Sequence, residues 1–261
     1  MPETAKSSSA NAPVALVTGG ARRVGRTIVT ALAARGYRLA IQAHQSIDEA
    51  RRLAEELSAG GAEAAAFAAD LREAAATAAM IGRVADHFGR LDALVNSAAV
   101  WHEKRLEEVT PADLREHWEA NTLSTFVCCQ QAGLRMVAQS SGGAIVNIGD
   151  WAIERPYIDY AAYFPSKGAI PALTRSFAVE LANRNPKVRV NAILPGPVLL
   201  APDMPPAERQ AVIDATLLKR LGTPEDVAQA VIFLLESPFI TGVSLPVDGG
   251  RTIFGGQFGH V

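Results

Sequence analysis

The sequence predicts an α/β fold: one doubly wound parallel sheet with helices packed on both faces. Three observations lead there. Short apolar runs alternate with longer helical stretches along the chain, the pattern of repeated strand–helix–strand units. The 261 residues are 49% hydrophobic and 20% charged, enough for one large core and too apolar for general disorder. No linker, internal repeat or charge block splits the chain, so residues 13–261 read as a single domain behind a flexible tail, residues 1–12.

The elements follow in order. Val14–Thr18 (VALVT) is a first strand stopped by Gly19-Gly20, and a helical pattern runs from about Val24 to Arg35. Arg38–Ala43 is the second strand, and Asp48–Ser58 is a charged helix ending at Gly60-Gly61. Ala64–Ala69 is too rich in alanine to be a strand on propensity and is one on its place in the alternation. Glu73–Phe88 is helical, Leu91–Asn96 a strand, and Pro111–Gln139 one long helical stretch. Ala144–Ile148 follows a Ser-Gly-Gly turn, Ala161–Asn183 is helical, and Val188–Leu194 ends at Pro195-Gly196-Pro197. Thr223-Pro224-Glu225-Asp226 opens a helix to about Leu235: a hydroxyl cap, a proline in the first turn, and acids at the positive end. Gly242–Val247 is the last strand.

Composition excludes several classes of function. A formal net charge of −2 argues against nucleic acid as a partner, because phosphate binding needs surplus Lys and Arg. The only cysteines, Cys128 and Cys129, are adjacent, so they offer no long-range staple and suit the core of a protein in a reducing, cytoplasmic compartment. His87, His102 and His117 lack metal spacing and read as surface or helix residues; no metal site is expected. No apolar run reaches the roughly 20 residues of a membrane span, and the N-terminus lacks the apolar centre of a secretory signal. A small molecule is the expected partner.

Its site should lie at the carboxyl ends of the strands. Thr18-Gly19-Gly20-Ala21-Arg22-Arg23-Val24-Gly25 joins the first strand to the first helix. Glycines there let backbone approach a pyrophosphate, and a helix N-terminus favours its charge. An ordinary βα turn is the plainer reading; position and downstream context favour a dinucleotide. The second strand's end, Gln42-Ala43-His44-Gln45-Ser46, holds no acid to bind a ribose 2′-hydroxyl, and Arg22 and Arg23 add positive charge. That combination attracts a 2′-phosphate, so the expected cofactor is NADP(H).

Tyr163-Phe164-Pro165-Ser166-Lys167 places a phenol and an ammonium at i and i+4 on one helical face. A free tyrosine has a pKa of about 10, and a cation one turn away stabilises the phenolate and brings it toward neutrality. Tyr157 and Tyr160 have no such lysine.

TGGARRVG, LVNSAA at Leu94–Ala99, Asn121, YFPSK, LPGP at Leu194–Pro197 and TGVSLPVDGG occur in this order over nearly the whole chain. With them the chain resembles the short-chain dehydrogenase/reductase family. The resemblance implies a Rossmann fold, Tyr163 as proton donor, Lys167 holding the nicotinamide ribose, Asn121 organising a water relay, Asn96 supporting the central strand and Asp70 near the adenine. It also implies a cofactor surface of Gly19, Arg22, Arg23, Val24, Gly25, His44, Gln45, Ser46, Asp70, Leu71, Asn96, Ser97, Ala98, Tyr163, Lys167, Pro195, Gly196 and Val198, and a homotetramer.

The departures from the family pattern are informative. Arg23 stands at the middle glycine, Asp150 stands where a serine usually precedes the tyrosine by thirteen residues, and Asn96-Ser97-Ala98-Ala99 replaces Asn-Asn-Ala-Gly. Pro165 within the catalytic turn is expected to tilt Lys167 relative to Tyr163. An ionised Asp150 only accepts hydrogen bonds, repels a developing alkoxide and suits a substrate with N–H groups; a protonated one could donate. An arginine in the loop with an aspartate at the serine position resembles the pteridine reductase branch. That branch implies Arg23 reaching cofactor phosphate and substrate, Gln42, His44, Gln45 and Ser46 around the 2′-phosphate, and Trp101 sandwiching a pterin. The substrate residues so implied are Arg23, Trp101, Asp150 and Tyr163, with Leu199, Leu200 and Met204 on a proline-rich segment, Pro195–Arg209, that reads as an apolar lid.

The expected activity is NADPH-dependent reduction of a pterin or dihydropterin C=N bond, Tyr163 or Asp150 delivering the proton. Alternatives are a 3-oxoacyl-type carbonyl reductase and a non-catalytic NADPH-binding sensor or scaffold. At residue level, Asp150 could instead pair with Arg155, Trp101 could sit at a subunit contact, and the glycine-rich Gly249–Val261 could reach a neighbour's site.

Overall fold

The first strand, β1 (Val14–Thr18), is buried along its whole length, and its alternate side chains enter two different cores. Val14 and Leu16 join one cluster, Ala15 and Val17 the other. A strand apolar on both faces has to be covered on both. The computed structural model describes residues 11–254. Among these residues seven strands, all parallel, take the order β3-β2-β1-β4-β5-β6-β7. They are β1, β2 (Arg38–Ala43), β3 (Ala64–Ala68), β4 (Ala93–Asn96), β5 (Gly143–Ile148), β6 (Val188–Pro195) and β7 (Ser244–Val247).

Three helices cover each face. α1 (Arg23–Ala34), α2 (Ile47–Ala59) and α8 (Pro224–Glu236) bury Ile28, Leu32, Leu53 and Val231 on one side. α3 (Ala74–Phe88), α5 (Ser124–Ala138) and α6 (Tyr163–Ala182) bury Met80, Ile81, Met136 and Phe177 on the other, with Cys128 and Cys129 in that core. The order reverses between β1 and β4, the point where a doubly wound sheet opens a crevice for ligand.

The expected elements are present, with four differences. The Pro111–Gln139 stretch divides into α4 (Pro111–His117), a π-helical turn at Trp118–Leu123, and α5. The Pro195–Arg209 segment gives way to a further helix, α7 (Pro206–Asp214), which starts on two prolines suited to a first turn. Pro165 lies in the first turn of α6, where its missing N–H has no partner to lose, so it does not kink the helix; Pro171 is the interior proline. The expected tail is pinned at its end, where Ala12 O accepts from Arg38 Nε at 3.1 Å; residues 1–10 lie outside the described residues.

Buried polar side chains tie the sheet to its layers. Asn96 Nδ2 donates to Asn147 Oδ1 at 2.9 Å, Asn147 Nδ2 donates to Thr174 Oγ1 at 3.0 Å, and Cys129 Sγ donates to the same Asn147 oxygen. Thus β4, β5, α5 and α6 share one network of buried polar side chains.

Glycine is needed where β1 meets α1. A Cβ on Gly25 would run into the Gly19 carbonyl, and Gly19 itself sits at φ +62° against Ala98. Gly25→Ala is expected to lower the melting temperature, with a cost of about 2 kcal/mol or more, as overpacking against backbone does. Gly168→Ala, where the added carbon meets nothing within 4 Å on α6, is expected to raise stability by about 0.5–1 kcal/mol. Thermal melts of the two variants check both signs.

Candidate active site

The carboxyl end of β5 and the amino end of α6 bring the acid–base groups together. Tyr163 Oη donates to Asp150 Oδ2 at 2.7 Å. Asp150 Oδ1 accepts from the Ala152 amide at 2.8 Å, capping the short 3₁₀ turn Trp151–Ile153. One helical turn on, Lys167 is buried and donates from Nζ to Ile148 O at 2.8 Å. Tyr163, Lys167 and Asp150 therefore converge on the last residues of one strand. Asp150 does not pair with Arg155, whose guanidinium reaches the carbonyls of Arg251 and Phe254 at 3.2 and 2.7 Å instead. Residues 255–261, the remainder of the segment read as reaching a neighbour, lie outside the described residues.

The electrostatics reverse one expectation. The Tyr163 pKa is raised above a phenol's ordinary value, first by burial and then by the charge and hydrogen bond of Asp150. Lys167 does not draw it down. Burial lowers the Lys167 pKa to about 8, with Asp150 opposing that shift.

Asn121 sits in the π-helical turn, a departure from α geometry that recurs at functional sites. Its side chain is fully committed: Oδ1 accepts from Val100 N at 2.8 Å, and Nδ2 donates to Val100 O and Ser166 Oγ, both at 3.0 Å. It clamps the loop after β4 to α6. Its own carbonyl accepts from Thr125 Oγ1 at 2.7 Å.

The glycine loop fits a dinucleotide. Gly19 and Gly25 leave backbone where a Cβ would collide, Gly196 lies equally close against Asp248, and α1 opens with no acid in its first turn. Arg23 is exposed at φ +51°, a conformation costly for a residue with a Cβ and typical of functional loops. Val24 is half-buried against the core below. Arg22, in contrast, pairs with Glu49 on α2, so its charge is offset. Gln42 is buried and spent on structure: Oε1 accepts from Gly19 N at 3.0 Å and Nε2 donates to Ala69 O at 2.9 Å. It pins the loop and does not face a phosphate. His44 and Gln45 are exposed and Ser46 half-exposed at the end of β2.

Asp70 is held by a bidentate Arg72, which takes its carboxyl down to about 2, and His44 Nε2 lies 3.9 Å away. Leu71 is buried in the core. The Ser97 and Ala98 amides both donate to Thr18 Oγ1, at 3.0 and 3.1 Å. The amides are thereby used, and Asn96 is consumed by its network with Asn147. Pro195, Gly196 and Val198 follow the end of β6 and are half-buried. Leu199 is exposed, and Leu200 and Met204 are half-buried ahead of α7.

Trp101 stacks on Tyr160, with ring centres 5.0 Å apart and planes 8° from parallel. One indole face is thus already covered within the chain, and the side chain is 46% exposed. Sequence reasoning missed His117, which is buried with its ring edge-on to Tyr163, centres 6.0 Å apart. The available signal was its place four residues before Asn121, on the same helical side.

The comparisons with known proteins agree with this arrangement. A family model described as enoyl-(acyl carrier protein) reductase matches residues 19–252. The chain is 35% identical over 238 residues to carbonyl reductase family member 4 of Xenopus tropicalis, covering 91% of this chain and 97% of that protein. It is 33% identical to the 3-oxoacyl-(acyl-carrier-protein) reductase of Homo sapiens, with the same coverage. A crystal structure described as that of a short-chain alcohol dehydrogenase from Sinorhizobium meliloti superimposes with a TM-score of 0.85 at 30% identity, covering 93% and 97% of the two chains. The chain belongs to the short-chain dehydrogenase/reductase family. It is an oxidoreductase of that type, a family that uses nicotinamide cofactors. The pteridine reductase branch is not among these relatives; they match the carbonyl-reductase alternative. Among the described residues no helix is long and apolar enough to cross a membrane, and no cluster of three metal-ligating side chains occurs.

The pH dependence follows from these shifts. Lys167, with its pKa lowered to about 8, loses its charge as pH rises through that value, so the reduction rate is expected to fall on the alkaline side. Asp150 raises the pKa of both Lys167 and Tyr163. Asp150→Asn is therefore expected to move the alkaline limb of the kcat/KM profile to lower pH, read from initial rates across about pH 6–10, a span that brackets the Lys167 value of about 8.

Proposed function

We propose that the chain is an NADPH-dependent reductase acting on a flat nitrogen heterocycle of the pterin or dihydropterin class, with a C=N bond as the reducible group. The hydrogen bond from Tyr163 to Asp150 carries this reading. Each oxygen of Asp150 accepts one bond from the protein, and a carboxylate has about four acceptor positions. The remaining ones suit ring or amino N–H groups. A developing alkoxide is a poor neighbour for the same carboxylate.

When bound, the reduced nicotinamide supplies a hydride to the substrate carbon. Gly19, Arg23, Gly25 and Gly196 would hold its phosphates and the adjoining backbone, and Lys167 its nicotinamide ribose. His44, Gln45 and Ser46, without a carboxylate among them, favour the 2′-phosphate form. Tyr163, kept protonated by its raised pKa, delivers H⁺ from Oη to the substrate nitrogen. Lys167 then stabilises the phenolate left behind. Trp101 offers an aromatic face to the heterocycle, and Leu199, Leu200 and Met204 exclude water from above it. The protein works as a cytoplasmic homotetramer with a small-molecule substrate and no nucleic-acid or membrane partner.

A second reading, reduction of a 3-oxoacyl-type carbonyl, is favoured by the relatives, several of which bear that name. Loss of NADPH absorbance with dihydropterins and with an acetoacetyl thioester separates the two. The proposal expects a kcat/KM at least tenfold higher for the dihydropterin; a preference for the thioester assigns the carbonyl reaction instead. NADPH is expected to outperform NADH by about a hundredfold, the scale of one well-bound charged group. Tyr163→Phe should lower kcat by about 10²–10⁴-fold, the range for a lost general acid, while NADPH affinity stays within a few fold. Turnover unchanged in that variant contradicts the assignment of the proton donor.

A further inference from the structure

The loop that follows β4 carries Trp101 past the site, and consecutive residues of it are fastened. Val100 is clamped through both its N–H and its C=O by Asn121. Trp101 lies on Tyr160. Glu103 Oε2 accepts from Tyr160 Oη at 3.0 Å. Lys104 N donates to Asp159 O at 2.8 Å, and Lys104 Nζ bridges both oxygens of Asp113, each at 2.8 Å.

His102 is fastened through a histidine. Its amide donates to His117 Nε2 at 3.3 Å, and His117 Nδ1 lies 2.8 Å from Asp113 O. A carbonyl accepts only, so Nδ1 carries the ring proton; an amide N–H donates only, so Nε2 carries none. The two backbone contacts fix one tautomer and one ring orientation. In that orientation the imidazole edge meets the Tyr163 ring, with centres 6.0 Å apart and planes at 73°. The side chain is 2% exposed, so no solvent competes for either nitrogen.

The geometry points to His117 as a positioning residue for the reductase site: it sets the Trp101 loop and the Tyr163 ring relative to one another. Three links meet in it, to α4 through Asp113 O, to the loop through His102 N, and to α6 through the Tyr163 ring. An apolar residue of similar size would fill the space and keep the ring contact. It would leave the His102 amide without its acceptor. Asn121, one turn on, fixes the loop at Val100, so His117 adds the second point that fixes its direction. Trp101 lies between the two anchors. Substrate binding should therefore feel His117 more than proton delivery does.

Two substitutions separate the roles of the ring nitrogens. His117→Gln keeps an acceptor near the Nε2 position, within reach of the His102 amide. His117→Asn keeps a polar group near the Nδ1 position only. The inference rests on the reductase reading, so the experiment has one arm that needs turnover and one that does not. With whichever substrate the wild type reduces, His117→Asn is expected to raise KM about tenfold, the size of one lost hydrogen bond, with kcat within about threefold. His117→Gln is expected to restore KM to within about threefold of wild type. In the second arm, hydrogen exchange at residues 100–104 is expected to quicken in His117→Asn and to stay near wild type in His117→Gln. Equal KM in wild type and the Asn variant, or equal exchange in the two variants, overturns the positioning role. A wild type that turns over no substrate contradicts the reductase reading alone and leaves the exchange comparison to decide this one.

Discussion

The site depends on one hydrogen bond, from the phenol of Tyr163 to the carboxylate of Asp150. Both groups are where they are for reasons of fold. Asp150 follows β5 and caps the next turn, so its carboxylate is fixed by the Ala152 amide. Tyr163 opens α6 among Tyr160, Phe164 and Ala152. An apolar surround raises the cost of ionising the phenol, and an adjacent negative charge raises it further. A tyrosine so placed keeps its proton until the substrate develops basicity, which is the behaviour required of a proton donor in a reduction. A buried ammonium one turn away, tied to the Ile148 carbonyl, is the nearby cation that can balance the phenolate once the proton has gone.

The rest of the fold serves to hold that carboxyl end rigid. Gln42 pins the glycine loop to β2, Thr18 gathers the two amides after β4, and Asn96, Asn147 and Thr174 bind the central strands to α6. Each is a buried polar side chain with its partners in place, expensive to leave unpaired and correspondingly specific in what it positions. Arg23 is one of three non-glycine residues at positive φ among the described residues, with Asp159 and Lys219, and its left-handed backbone lies in the loop suited to a phosphate. Asn121 and His117 extend the same logic to the loop bearing Trp101, and the π-helical turn lets Asn121 reach both Val100 and Ser166.

Much of this was legible in the sequence because periodicity reports burial. The strands appear as apolar runs and the helix starts as caps; Thr223 and Asp226 form the reciprocal capping box that their spacing announces. The i,i+4 relation of Tyr163 and Lys167, and the place of Asp150 before them, located the acid–base centre. What the sequence could not carry was partnership across the fold. Arg22 read as a phosphate ligand, yet Glu49 on α2 takes its charge. Gln42 read as part of the surround of the 2′-phosphate, yet it is buried beneath the loop. His117 looked like an unremarkable helical residue because its two partners, His102 N and Asp113 O, are backbone atoms with no sequence signature. The sign of the Tyr163 shift was also misjudged, since burial and a neighbouring carboxylate outweigh a lysine directed at a carbonyl.

The most direct measurement is the ionisation of Tyr163 itself. The chain has four tyrosines, so ultraviolet difference titration of the wild type against Tyr163→Phe isolates this phenol, and the same pair in an Asp150→Asn background isolates the carboxylate's effect. The account predicts that Tyr163 ionises above the ordinary tyrosine value of about 10 and that removing the carboxylate brings it down. Ionisation at or below the ordinary value with Asp150 present, or no change on its removal, would contradict it.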